Sequence, residues 1–516
     1  MRAPQSKTYS PPTIKGELGR NDAVVARNSH NRNANVPFCD QIDGVSIDDL
    51  VSQFGSPLFV FSERTVIETA RRAKKAFADV YPNTTFGWSY KTNYLKAICN
   101  IFHREGWIAE VVSDFEYQKA EQAGIPGKNI IYNGPCKSRE SLEHALHQGS
   151  LVQIDNWDEL QVVEDIASTM DHRVNVGVRI WMDTGLTPAW SKFGFALASG
   201  EAARAALRVI ANPHLNLHTL HSHIGTYVLE PKAYAVAAER LVILREAVFR
   251  KTGHLVPCIN LGGGFPSNGL LHEMPEGTKV PPIEAYAGAI ADVLNTLPRA
   301  KRPQLRLETG RHLIDDAGYL ITSVVAVKGA ERSKAKPNSG KRSRGGYIVD
   351  AGVNLLYTST WFRMSVMPTT PSHPLLTNAA KLYGCLCMNI DVIREEVELP
   401  PLEVHDKLVL HPVGAYNITQ SMQFIGLRPA VVLVSLDGSL HVIRRREKLA
   451  DIENGEQVPS HLQLEAIKRP KSNAVSPEMA RTLGRGVSFR SGRPGTNKAG
   501  NQRCRQRAAR RRRAHA

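Results

Sequence analysis

What this 516-residue chain lacks narrows it first. No apolar run approaches the roughly 20 residues that cross a bilayer, and the polar N-terminal stretch has no apolar segment of the kind a secretory signal needs. A soluble, cytoplasmic protein is therefore expected. No C-x-x-C pair or Cys/His zinc spacing occurs: the seven cysteines (39, 99, 136, 258, 385, 387 and 504) are odd in number and scattered, with only Cys385 and Cys387 close together. Reduced thiols fit that pattern, and neither a disulfide framework nor a metal site is expected. Acid is scarcest toward the C-terminus. From Lys468 to Ala516, fifteen Lys/Arg face one acid, Glu478, so this tail holds +14 of the +16 net charge and the remaining residues are nearly neutral. Rich in Gly, Pro, Ser and Arg, the tail is expected to be a disordered appendage with no specific nucleic-acid or membrane role.

With 42% hydrophobic residues the chain can bury a large core. Residues 1–43 lack apolar periodicity and read as a flexible arm, and Ser56–Ser62 reads as a strand followed by an amphipathic helix from Glu63 to Val80. Eight strand patterns then alternate with helical ones: around Thr85–Tyr90, Trp107–Ser113, Asn129–Asn133, Leu151–Asp155, Val174–Ile180, Leu217–Ile224, Pro257–Leu261 and Gln304–Glu308. Eight β/α units are what a TIM-type (β/α)8 barrel requires. Beyond Leu313 come strands without long helices, which suggests a second, β-rich domain, with a basic loop at Lys328–Arg344. The expected division is arm 1–43, a first strand region 44–62 contributing to the β domain, barrel 63–313, β domain 314–455 and tail 456–516.

The functional candidates fall at strand ends. Phe86, Trp88 and Tyr90 alternate as a half-buried strand does and deliver Lys91 to a strand-to-helix junction; among apolar neighbours its pKa is expected to fall, favouring attack on a carbonyl. On its own this lysine would suit a surface salt bridge. Leu261-Gly262-Gly263-Gly264-Phe265 could let backbone N–H groups approach an anion, or be a tight turn. Glu308-Thr309-Gly310-Arg311 pairs a carboxylate with a phosphate-matching guanidinium, and His221 and His223 share a face without a carboxylate or cysteine at ligand spacing. A lysine, an anion cradle, a planar side chain and a carboxylate at one rim suit pyridoxal phosphate: the lysine condenses with its aldehyde and the carboxylate keeps its ring nitrogen protonated.

The chain resembles the fold type III pyridoxal-phosphate decarboxylases, the diaminopimelate, ornithine and arginine decarboxylase group, over roughly residues 50–450. The resemblance rests on motifs in the family's order: Tyr90-Lys91-Thr92-Asn93, Glu110-Val111-Val112-Ser113 with Glu116, Asn133-Gly134-Pro135-Cys136-Lys137, Ser191-Lys192-Phe193-Gly194, His221-Ser222-His223-Ile224-Gly225, Gly262-Gly263-Gly264, Glu308-Thr309-Gly310-Arg311, Asp350-Ala351-Gly352, Cys387 to Asp391, and Gly414-Ala415-Tyr416. It implies an alanine-racemase-like barrel plus β domain, and a pyridoxal-phosphate-dependent α-decarboxylase of an amino acid, working through a Schiff base on Lys91 and a quinonoid intermediate. By the same resemblance His223 stacks on the ring and Glu308 pairs with the pyridine nitrogen. Thr226, Gly263, Gly264, Gly310, Arg311 and Tyr416 hold the phosphate, and the Cys387 thiol protonates the α-carbon. It also implies a head-to-tail homodimer with shared sites, Cys387 and Tyr416 reaching across the interface and Lys192 pairing with Asp391.

Two departures bear on the substrate. Met388 follows Cys387 where the diaminopimelate and ornithine enzymes carry an acid, and Tyr357 stands where an arginine is expected to clamp a distal carboxylate, with Arg363 nearby but out of register. A distal charge buried without its partner costs several kcal/mol. These positions resemble the relatives of specialised metabolism, which act on an amino acid joined to a carrier protein or siderophore precursor. The alternatives are an amino-acid racemase on the same fold and a non-catalytic cofactor-binding regulator; Glu308 and Cys387 oppose the former, and retention of Lys91 and Cys387 opposes the latter.

Overall fold

The computed structural model describes residues 37–275, 277–329, 345–371 and 378–464. Most of the 328–344 loop and the basic tail from Lys468 lie outside the described residues. The chain divides into two compact units, up to Asp451 and from Ile452 onward.

Eight parallel strands form a closed barrel: Thr84–Ser89, Ile108–Val111, Ile130–Tyr132, Leu151–Ile154, Val174–Trp181, Leu215–His221, Cys258–Asn260 and Gln304–Thr309. Each pairs with the next in chain order. Leu305–Thr309 pairs with Thr84–Trp88, closing the ring. The strands are short and almost wholly buried, as parallel strands covered by helices must be. Polar caps enforce the turn from strand to helix at four of the junctions. Ser62, Ser113, Ser138 and Asn156 each accept the backbone N–H three residues on, satisfying a helix-terminal donor.

One β/α unit departs from the expected pattern. The last barrel strand is followed only by the single turn Arg311–Ile314, and Glu63–Ala78, which precedes the first strand, packs against that turn, against Ile283–Leu294 and against Lys96–Arg104. The eighth helical position is thus filled from the chain's other end. This leaves the end of the last strand free to run directly into the second domain.

The second domain is built on Gly318–Lys328, an 11-residue strand. Its first half pairs with Leu58–Phe61 on one side and Lys407–Leu410 on the other, and its second half with Gly346–Val349. Leu58–Ser62 also lies parallel to Val431–Val434, so a strand from before the barrel is buried within the β domain. Three strands were not anticipated here, Phe362–Arg363, Ser365–Pro368 and, last, Val392–Leu399. The last, Val-Ile-Arg-Glu-Glu-Val-Glu-Leu, is a charged edge strand that among the described residues pairs on one side only, the composition that discourages edge-to-edge association.

Candidate active site

The strand ends converge on one chain of contacts. Lys91 lies in the single 3-10 turn Tyr90–Thr92 after the first barrel strand, and its Nζ donates to both oxygens of Glu110, at 2.9 Å and 2.6 Å. Glu110, next to last in the second strand, is fully buried and also accepts from Ser89 Oγ. Asn133, just past the third strand, uses its amide nitrogen to donate to Glu110 Oε1 at 2.8 Å and to Glu308 Oε2 at 2.9 Å. Only two atoms therefore intervene between the Lys91 amine and the Glu308 carboxylate.

Glu308 ends the eighth strand. Its other oxygen accepts from Asn260 Nδ2 at 2.6 Å, and His221 Nε2 stands 3.3 Å from Oε2. Burial alone would favour its neutral form, but the facing His221, then Lys91 and the Asn133 amide, hold its pKa well below the usual carboxylate range. A group that stays an anion in the interior suits a cationic ring nitrogen.

Lys91 corrects an expectation. Burial, the largest single influence, pushes its pKa down, as anticipated, yet Glu110, Tyr416 and Glu308 together outweigh it and the net direction is upward. The sequence showed its apolar neighbours on the strand; the counter-ion comes from 19 residues away. Of its side chain, 35% remains open.

His223 lies past the sixth strand, its ring stacked on Trp190 at 5.3 Å and 10°, which leaves the other face for a planar partner. Burial, then the charges of Arg179 and Lys91, lower its pKa well below the ordinary value, so it stacks as a neutral ring. Gly263 and Gly264 pass so close to neighbouring backbone that a Cβ would fall 2.1 Å from Glu308 O and 2.2 Å from Gly225 O; Gly264 also has φ +95°. Gly262 N donates to Asn260 Oδ1 at 2.9 Å, so one asparagine fixes both this loop and Glu308. A Cβ at Gly310 would meet Thr92 Oγ1 at 2.1 Å. Arg311 is buried, pairs with Asp315 at 3.0 Å, and packs its guanidinium on Phe362 (4.0 Å) and Tyr416 (5.0 Å). Thr226 is exposed at the rim.

Tyr416 is a second correction. It sits in the site of its own chain: its N–H donates to Thr92 O at 2.8 Å, its φ is +67°, and Thr419 Oγ1 donates to Lys91 O at 2.8 Å. Asp391 is a third. Expected at an interface, it is 3% exposed and accepts from Val353 N (2.8 Å) and Leu386 N (2.7 Å), fixing the turn that presents Cys385 and Cys387. Lys192 is exposed. Cys387 is also exposed, and among the described residues no hydrogen bond or ion pair joins it to the Lys91 cluster.

The residues fit pyridoxal phosphate. Buried polar atoms without a partner recur at the same strand ends, on Thr92, Asn133, His221, Ser222 and Arg311, and buried polar groups are normally satisfied. Glu110, Asn260 and Asp315 were not among the residues singled out for roles. A buried acid near the end of a strand, and an asparagine two residues before a glycine run, are the signals that could have found the first two.

Residues 63–315 match the family profile of the pyridoxal-dependent decarboxylases, pyridoxal binding domain. The chain is 27% identical to the diaminopimelate decarboxylase of Zymomonas mobilis over 81% of its own length and 96% of the relative's, and 29% identical to that of Methanothermobacter thermautotrophicus over 82% and 96%. It superposes on the crystal structure of a diaminopimelate decarboxylase from M. jannaschii with a TM-score of 0.73 and 26% identity, covering 83% of this chain and 99% of that one. Barrel, second domain and site agree with these likenesses: the chain belongs to the fold type III pyridoxal-phosphate-dependent decarboxylases and is a carboxy-lyase of an amino acid.

Proposed function

We propose that the chain removes the α-carboxylate of an amino acid whose distal end is conjugated, to a carrier protein or a related group, with no free distal charge. The observation that carries the site assignment is the contact chain Lys91–Glu110–Asn133–Glu308. When bound, pyridoxal phosphate supplies an electron sink for the pair left behind as CO2 departs. Lys91 Nζ would hold its aldehyde carbon, and Glu110, in contact with Nζ, is the counter-ion of the amine until that bond forms. Glu308 holds a proton at the ring nitrogen. His223, backed by Trp190, stacks on the ring face. Gly263, Gly264, Gly310, Arg311 and Tyr416, with Thr226, take the phosphate.

Cys387 protonates the α-carbon in this reading. Because it stands exposed and apart from its own chain's cluster, the donor is Cys387 of the partner subunit in a head-to-tail dimer. The substrate part is supported by the β-domain wall. Arg363 uses its guanidinium on Met274 O at 2.8 Å, within the short ladder pairing Leu270–Leu271 with Phe362–Arg363, and Tyr357 packs edge-on against Trp361 at 5.1 Å. Tyr357 brings no charge to a distal carboxylate, and Arg363, though a cation, is tied to Met274 O through Nη2.

The test is a screen of free diaminopimelate, ornithine, lysine, arginine and glutamate against carrier-linked amino acids, following CO2 and optical rotation together. Faster CO2 release from the conjugates supports the proposal. Equal or faster turnover of free diaminopimelate removes the conjugation claim, and rotation without CO2 replaces decarboxylase by racemase.

A further inference from the structure

Three segments far apart in sequence meet at one buried carboxylate that the reading above leaves without a role. Asp315, 3% exposed, follows the single turn Arg311–Ile314. Its Oδ2 accepts from Arg311 Nη1 at 3.0 Å and from Ser267 Oγ at 2.5 Å, and its Oδ1 accepts from Ala415 N at 3.1 Å. Its backbone carbonyl accepts from Gly414 N at 3.0 Å. Each partner leads into a proposed phosphate group: Ser267 lies three residues beyond Gly264, Arg311 is itself one, and Ala415 immediately precedes Tyr416. The junction has little slack, since a Cβ on Gly414 would fall 1.9 Å from Ile314 O.

The arrangement at Arg311 adds an independent observation. Asp315 engages Nη1 and aromatic rings cover the guanidinium, yet Nε is a buried donor without a partner. A buried guanidinium N–H left open while the opposite part of the fork is tied down is a donor aimed at an absent acceptor. Charge alone would let Asp315 weaken anion binding by neutralising Arg311. The three-way junction indicates that orientation dominates: without it the arginine fork, the end of the glycine loop and the tyrosine turn each lose a common anchor.

We propose that Asp315 is the positioning residue of the phosphate cradle, aligning Arg311, the Gly262–Ser267 loop and the Tyr416 turn for the cofactor's phosphate without touching it. The inference rests on the cofactor reading above and specifies one part of it.

The experiment compares pyridoxal phosphate with pyridoxal, which lacks only the phosphate, as ligands of the full-length apoprotein, by equilibrium titration of absorbance and intrinsic fluorescence. Asp315→Asn keeps the shape and the acceptor for Ala415 but sets an NH2 group against the Arg311 donors. Its affinity for pyridoxal phosphate is expected to fall about tenfold, and its affinity for pyridoxal to stay within twofold of wild type. Asp315→Ala should lose more, again in pyridoxal phosphate only. In an Arg311→Met background the Asp315→Asn effect should largely disappear, which a general loss of stability would not produce. Unchanged or tighter pyridoxal phosphate binding by Asp315→Asn, or parallel weakening of both ligands, overturns the proposal. A wild-type protein that binds pyridoxal but gains nothing from the phosphate also overturns it, whereas one that binds neither ligand overturns the cofactor reading itself.

Discussion

Replacing Glu110 by Gln removes the charge that faces Lys91 and keeps the side chain's shape. The contacts of 2.6 Å and 2.9 Å are those of a close ion pair. Two unit charges 4 Å apart are worth about 4 kcal/mol at an effective dielectric constant of 20. Because 35% of the Lys91 side chain is open, screening reduces this to the order of 2 kcal/mol. At about 1.4 kcal/mol per pK unit, the Lys91 amine should titrate between one and two units lower in the variant. Only the neutral amine attacks an aldehyde, so the pH profile for combination of pyridoxal phosphate with the apoprotein, followed by stopped-flow absorbance, should shift to lower pH by that amount. Near pH 8 the variant should combine roughly tenfold faster. A midpoint that stays in place or rises would refute the claim that Glu110 sets the charge of Lys91.

Other outcomes follow from the same contacts. Glu308→Gln should retain the cofactor yet lose about 10²–10³ in CO2 release, the scale of removing one fixed electrostatic partner, measured by single-turnover kinetics; activity near wild type would remove Glu308 from its role. Lys91→Ala and Cys387→Ala should each be nearly inactive alone, and mixing them should restore about one quarter of wild-type activity, because half of the reassorted dimers are mixed and each holds one intact site. No restoration would contradict shared sites. Burial raises the Glu116 pKa to about 7. Such a group binds its proton more tightly in the folded state, so its contribution to stability is lost as pH rises from about 4.5 to about 7. Between those limits Glu116→Gln should gain up to about 3 kcal/mol relative to wild type, read from urea unfolding, and a constant difference would contradict the assignment. Gly263→Ala should destabilise by about 1–3 kcal/mol, since its Cβ has only 2.1 Å to Glu308 O; an unchanged Tm would contradict that close approach.

The barrel could be read from the sequence because its strands are buried on both faces, leaving short apolar runs such as Ile130–Tyr132 and Leu151–Ile154 between capped helices. Val392–Leu399 escaped because an edge strand rich in Glu and Arg has neither the alternation nor the composition of an interior one. At the site, Lys91 and Glu308 stood out by residue type at strand ends. Their couplings did not, since Asn133, Glu110, Asn260 and Asp315 act through hydrogen bonds between positions 19 to 175 residues apart. The same distance explains the Tyr416 error: a motif shows that a tyrosine is present near the chain's end, but only the fold shows Tyr416 N–H on Thr92 O of its own chain.

The most direct test of the central claim is to load the protein with pyridoxal phosphate, reduce it with borohydride and map the peptides by mass spectrometry. The account predicts one pyridoxyl group, on Lys91, and its loss in Lys91→Ala. Labelling of another lysine at equal yield, or none at all with the cofactor in excess, would contradict it.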